Sequence, residues 1–129
     1  MSSGLATFAA LGIGGACGTW LRWGLGVWLN PMFPLLPPGT LVVNLVGGLL
    51  MGGALGLIQT WPEMSPALKL LLTTGLLGGL TTFSTFSAEA FHLLQRGALG
   101  WLVLHMSLHV FGSVFATWAG YSIFKLLRA

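Results

Sequence analysis

The length of the apolar runs constrains this chain more than any other feature. Four stretches, roughly residues 5–29, 40–59, 66–96 and 98–127, each hold about the 20 mostly apolar residues that a helix needs to cross a bilayer core. Lipid offers no partners to stray backbone N–H and C=O groups, so such runs are expected as spanning helices. The predicted fold class is an all-α membrane protein, one domain of four transmembrane helices over residues 1–129. Composition closes off the soluble alternative. Only 5% of residues are charged and 55% are hydrophobic, against about 25% charged in ordinary soluble domains. The formal net charge of +3 is small and scattered, which speaks against a nucleic-acid partner. The single Cys17 can form no internal disulfide and is expected to pack in a glycine-rich helix. The opening "MSSGLATFAALG" has no Lys or Arg before its apolar run, so it is read as the first span rather than a cleaved signal peptide.

Punctuation agrees with four spans. Pro31, Pro34, Pro37 and Pro38 end the first segment. Thr40 is the expected N-cap of the second helix. Ser65 is the expected cap of the third, with Pro66 at its first position. Trp20, Trp23, Trp28, Trp61 and Trp101 fall near segment ends, as interfacial aromatic residues do. Gly48, Gly52 and Gly56, at four-residue spacing, and Gly14 and Gly18 mark faces where another backbone approaches closely.

The third segment is unusual. "GGLTTFSTFSAEAF", Gly78 to Phe91, puts glycines and hydroxyls in the middle of an apolar run. Gly75, Gly78 and Gly79 each weaken a helix by about 1 kcal/mol relative to Ala. Thr81, Thr82, Ser84 and Thr85 compete for backbone hydrogen bonds. A break in the helix is expected here, and its freed groups must face protein, water or an ion. Polar residues elsewhere in the spans are also candidates for function. Asn44 lies about one turn into the second helix. His105, His109, Ser113 and Thr117 recur every four residues, one stripe on the fourth helix. The His pair alone is a poor metal site, because no Cys, Asp or Glu stands on the same helix to complete it. Phe83 and Phe86 share a helix face. Their positive ring edges suit a small anion better than a cation, although by composition alone ordinary packing is the stronger reading, because Phe at helical spacing is commonplace in membranes.

Lys69, Lys125 and Arg128 fall on one side of the membrane, and Arg96 with Arg22 on the other. Orientation follows this asymmetry, and here it almost vanishes. One reading is that both orientations are made and pair as an antiparallel, dual-topology homodimer. The other is a single orientation set by weak cues.

The stretch "GLLGGLTTFSTFSAEAF" closely resembles the signature of the Fluc (CrcB) fluoride channels, as do the "LRW" of Arg22, the "GTLVVN" ending at Asn44, the "HVFGS" of His109 to Ser113 and the chain length. The resemblance implies an antiparallel dimer with two fluoride pathways and a third helix broken at the glycine–threonine motif. It implies a structural sodium ion held by the backbone carbonyls of Gly78 and Thr81. Phe83 and Phe86 would line the pores, with Asn44 as a donor and Ser84, Thr85, Ser113 and Thr117 as an adjoining polar track. Glu89 and His109 match positions near the pathway, and Arg22 matches an arginine by an aqueous vestibule. The implied activity is passive, voltage-driven export of fluoride across a bacterial inner membrane, conferring fluoride resistance. The rivals are a proton-coupled fluoride exporter, a small dual-topology multidrug-type transporter and a non-transporting assembly subunit. The multidrug type needs an acid inside a span, and Glu89 keeps it open, whereas Glu63 lies in a loop. An enzyme is not expected, because the chain shows no nucleophile–base–orienter set.

Overall fold

The computed structural model describes residues 3–129, so the first two residues of the opening stretch lie outside it. Helix α1 spans Ser3–Leu29 and tightens into a 3-10 turn at Asn30–Met32. Helix α2 spans Pro38–Thr60. The third rod is composite: α3 at Pro66–Leu70, a π-helical turn at Leu71–Leu77, α4 at Gly78–Leu80, then α5 at Phe83–Gln95. Helix α6 spans Leu99–Arg128. Four helical stretches, Gly4–Met32, Pro38–Thr60, Pro66–Gln95 and Leu99–Arg128, are long and apolar enough to cross a membrane. The chain is a multi-pass membrane protein, as the apolar runs require.

Two helix starts can be compared with expectation. Ser65 caps α3 through its Oγ, which accepts from the Leu68 N–H at 3.2 Å, and Pro66 takes the first position. Thr40 is not a cap. Helix α2 begins two residues earlier, because Pro38 fits the first helical position, where a missing N–H loses no bond. The Thr40 N–H is served from outside the helix by Asn30 Oδ1 at 3.1 Å. This frees the Thr40 hydroxyl for another use.

The break falls inside the expected glycine–threonine stretch, at its threonines. Gly75, Gly78 and Gly79 all stay in helical turns, and the chain becomes extended only at Thr81 (ψ 160°) and Thr82 (φ −151°). Gly75 and Gly79 serve close approach to α1 instead. A methyl group on Gly79 would sit 2.6 Å from the Gly15 carbonyl oxygen, and one on Gly75 would sit 3.2 Å from that of Ala10. The Thr81 hydroxyl donates back to Leu77 O at 2.9 Å, a bond that bends helices. Thr82 then caps α5 by accepting from the Thr85 N–H at 3.1 Å.

The glycine rows of α1 and α2 find their partners. Gly14 and Gly18 lie against the backbone of the π-helical turn, at the carbonyls of Leu71 and Leu76. Gly48, Gly52 and Gly56 lie against α6 at Ser113, Thr117 and Phe124. Gly120 of α6 answers by fitting against the Leu49 carbonyl. Side chains at this seam would hold the helices apart, so small residues are what lets α2 and α6 touch backbone to backbone. Val43, Leu77 and Leu80 form the buried apolar centre beside it. The five tryptophans read as interfacial all lie exposed.

Candidate functional site

The break is stapled by two side chains from other helices. Asn44 of α2 addresses both backbone groups of Thr82. Its Oδ1 accepts from the Thr82 N–H at 2.7 Å and its Nδ2 donates to Thr82 O at 3.1 Å. Arg22 of α1 donates from Nε to Gly79 O at 3.0 Å. A continuous helix would have satisfied these groups internally. Side chains replace the lost turn, as burial in an apolar medium demands.

Below the break lies an aromatic cluster. Phe86 is buried, whereas Phe83 is 78% exposed. The two rings lie 5.6 Å apart, centre to centre, at 58°. Phe86 stacks on His105 at 5.1 Å and 23°, and lies 4.8 Å from His109. Both histidines are buried, with ring centres 4.5 Å apart. Glu89 stands one turn beyond Phe86. Its Oε2 accepts from the Thr40 hydroxyl at 2.6 Å, and its Oε1 sits 3.6 Å from His105 Nε2. Glu89 Oε1 and His109 Nε2 are both buried without a hydrogen-bond partner.

An open groove of about 440 Å³ runs past this cluster. Asn44, Phe83, Phe86, His109, Ser113 and Thr117 line it, together with Gly78 and Thr81 at the break. Eight of the residues singled out in the sequence therefore meet at one feature. The wall is mixed. Phenyl rings stand beside an amide, an imidazole and hydroxyls, and no carboxylate lines it. Such a surface brings polar groups to a small anion and no counter-charge to a cation, although the Asn44 amide hydrogens are both spent within the protein, on Thr82 O and His109 Nδ1.

Comparison with known proteins settles the family. The profile of the family described as "CrcB-like protein, Camphor Resistance (CrcB)" matches residues 9–121. A protein of Aromatoleum aromaticum named "Fluoride-specific ion channel FluC" is 59% identical over 127 residues, covering 98% of this chain and 97% of that protein. Proteins with the same name from Pseudomonas putida and Escherichia coli are each 50% identical, over 95% and 91% of this chain and 97% and 93% of their own lengths. The chain belongs to the CrcB family.

Not every residue carried over from the CrcB signature reaches the groove. Arg22 and Thr85 line a separate cavity of about 340 Å³ with Asn30 and Thr40. Ser84 is exposed on α5 and lines neither cavity. Glu89 borders a third cavity with His92 and Arg96. Ser113 and Thr117 face the groove, but their hydroxyl protons are bonded within α6, to Val110 O and Ser113 O, both at 3.0 Å. Each must rotate to donate elsewhere. Three residues named from the sequence take roles in the structure that the sequence did not assign them. Thr82 carries the break and its cap, Thr40 holds Glu89, and His105 underlies Phe86. Thr40 and Glu89 are 49 residues apart in sequence, so spacing carries no trace of their bond.

Proposed function

We propose that this protein is a fluoride-selective channel giving passive, voltage-driven export of fluoride from the cytoplasm. The observation that carries this reading is near full-length identity to proteins named as fluoride channels, combined with their signature residues meeting in one groove. The chain is not an enzyme; its relatives are named as channels.

The chemistry suits the ion. Fluoride is small and holds its water tightly, so a path must replace that water with donors. Phe86 lines the groove with one face against His105, so its hydrogen-bearing edges are the part it can turn to an anion. Phe83 is free on most of its surface. His109 brings a ring nitrogen, while Ser113 and Thr117 bring hydroxyls that can exchange a helix carbonyl for the passing ion. A negative-inside potential drives an anion outward by about 2.3 kcal/mol per charge per 100 mV. Fluoride enters cells as the neutral acid and ionises inside, so an open path with this driving force confers resistance.

The groove is partly open to the outside of the protomer, and its hydroxyls and imidazole are poor company for lipid. A second copy covering it is the reading the near-zero charge bias supports, as an antiparallel, dual-topology homodimer in a bacterial inner membrane. Gly78 and Thr81 stand at the break and line the groove, and among the described residues no side chain hydrogen-bonds to either carbonyl. Carbonyl oxygens are hard donors of the kind that bind sodium at unwound helix segments. These two from each protomer would hold a structural sodium ion, which would join the protomers through opposite charge.

A fluoride electrode reading efflux from liposomes that contain the pure protein is the test. Rapid efflux set by the imposed voltage and indifferent to a proton gradient is expected. Slow efflux locked to protons would point to the coupled exporter, for which the membrane acid Glu89 with His105 beside it is the best candidate. No flux at all would leave an assembly subunit. Topology has its own test. Lys or Arg added to the loops on one side should bias insertion and abolish function of that form alone, with rescue when two oppositely biased forms are co-expressed. Full activity of one biased form would rule out the antiparallel pair.

A further inference from the structure

Glu89, His105 and His109 present one ligand atom each, all within 4.8 Å of one another, a set whose composition suits zinc or a similar dication. The carboxylate that the His pair lacks on its own helix comes from α5. A cation held here would oppose an anion path at its narrowest chemistry. The question is what prevents it.

Asn44 answers through its amide. The Thr82 N–H can only donate, so it must face Oδ1, and Thr82 O can only accept, so it must face Nδ2. The amide cannot be turned over without setting oxygen against oxygen. Nδ2 carries two hydrogens. One goes to Thr82 O, and the other points at His109 Nδ1, 2.9 Å away. His109 Nδ1 must therefore accept, and the ring hydrogen must sit on Nε2. A histidine that binds metal does so through a bare nitrogen while the other nitrogen donates to a neighbour. Asn44 allows only the reverse arrangement. His105 is arranged in the same sense, since its Nε2 faces Phe86 O at 3.3 Å and must carry a hydrogen to bond it.

We infer that Asn44 is a specificity-determining residue that acts through His109: by clamping the break it locks His109 with its hydrogen on Nε2, so that this set presents donors and rejects dications. The inference rests on reading the groove as an anion path, but its test does not use fluoride. His109 Nε2, buried and without a partner, is the donor this lock exposes, and an acceptor is the species it can take.

Asn44→Asp reverses the lock. An aspartate oxygen in place of Nδ2 loses the bond to Thr82 O but accepts a hydrogen from Nδ1, moves the ring proton there and bares Nε2, creating the carboxylate–histidine–metal arrangement. The long His105 bond to Phe86 O is then the remaining obstacle. The experiment uses the full chain in lipid bilayers with 15N-labelled histidine, the His109 signals being assigned with His109→Gln. Ring-nitrogen NMR reports which nitrogen bears the hydrogen, and zinc chloride is titrated in. Wild type should show the hydrogen on Nε2 and no zinc-dependent shift of His109. Asn44→Asp should show it on Nδ1 and bind zinc at least about tenfold more tightly. A purely structural Asn44 would leave the ring proton in place in the variant, and that result overturns the inference. So does wild-type His109 protonated on Nδ1, or a wild-type His109 signal that moves with zinc. If Asn44→Asp does not assemble, the two wild-type readings decide alone. A chain that conducts no fluoride leaves these readings intact, so the two failures are separable.

Discussion

Fluoride flux should fall at least tenfold when either Phe83 or Phe86 is replaced by isoleucine, about 1.4 kcal/mol or more added to the barrier. The substitution keeps bulk and apolarity but removes the polarised ring edge, so only an electrostatic role for the ring is tested. The two positions then separate on stability. Phe83 is 78% exposed and packs on little besides Phe86, so Phe83→Ile should leave thermal stability and assembly unchanged. Phe86 is 7% exposed and covers both histidines. Phe86→Ile should cost about 1–3 kcal/mol of stability from lost contacts in addition to the flux. Liposome efflux and a melting curve on the same preparations check both. Wild-type flux in both variants would remove the rings from the pathway.

Adding a single methyl group in the seam between α2 and α6 should have the largest effect on the fold. Gly52→Ala would place its methyl against the Thr117 carbonyl and 2.6 Å from the Tyr121 N–H nitrogen. Both obstacles are backbone, which cannot turn aside, so the helices must separate. The cost should reach or exceed the upper end of the about 1–3 kcal/mol typical of overpacking. Gly53→Ala, one residue along, meets nothing within 4 Å. It should be neutral or gain up to about 1 kcal/mol from better helix propensity. Size-exclusion profiles and melting temperatures of the two variants side by side give the readout. Equal behaviour would mean that the seam is looser than the described packing.

The sequence was most informative where physics acts locally. Apolar run length and the Pro and Gly breaks placed the four spans within a few residues, and Ser65–Pro66 marked a real helix start. Local reasoning misjudged Thr40, because Pro38 was counted only as a helix breaker when it also makes a good first residue. It bracketed the break within the glycine–threonine stretch but could not separate glycines from threonines as the point of departure, because a glycine needed for close approach looks the same as a glycine that ends a helix. Contacts between helices were out of reach. Asn44 sits 38 residues from Thr82 and 65 from His109, and the His pair was set aside for lack of a carboxylate that another helix provides. The anion reading of the groove owes more to the quoted signature than to composition, which allowed plain packing for the same phenylalanines.

Thr40 and Asn44 both reach the third rod from α2, one to Glu89 and one to Thr82, while the glycine seam joins α2 to the helix that carries His109. Bilayers of different thickness tilt helices to match their hydrophobic length. Tied by side chains to the third rod and by its seam and Asn44 to α6, α2 becomes the keel of the protomer: tilting it carries the ring of Phe86, the amide and the imidazole together. Their mutual spacing should then hold across membranes of unequal depth, and throughput should vary little with lipid chain length.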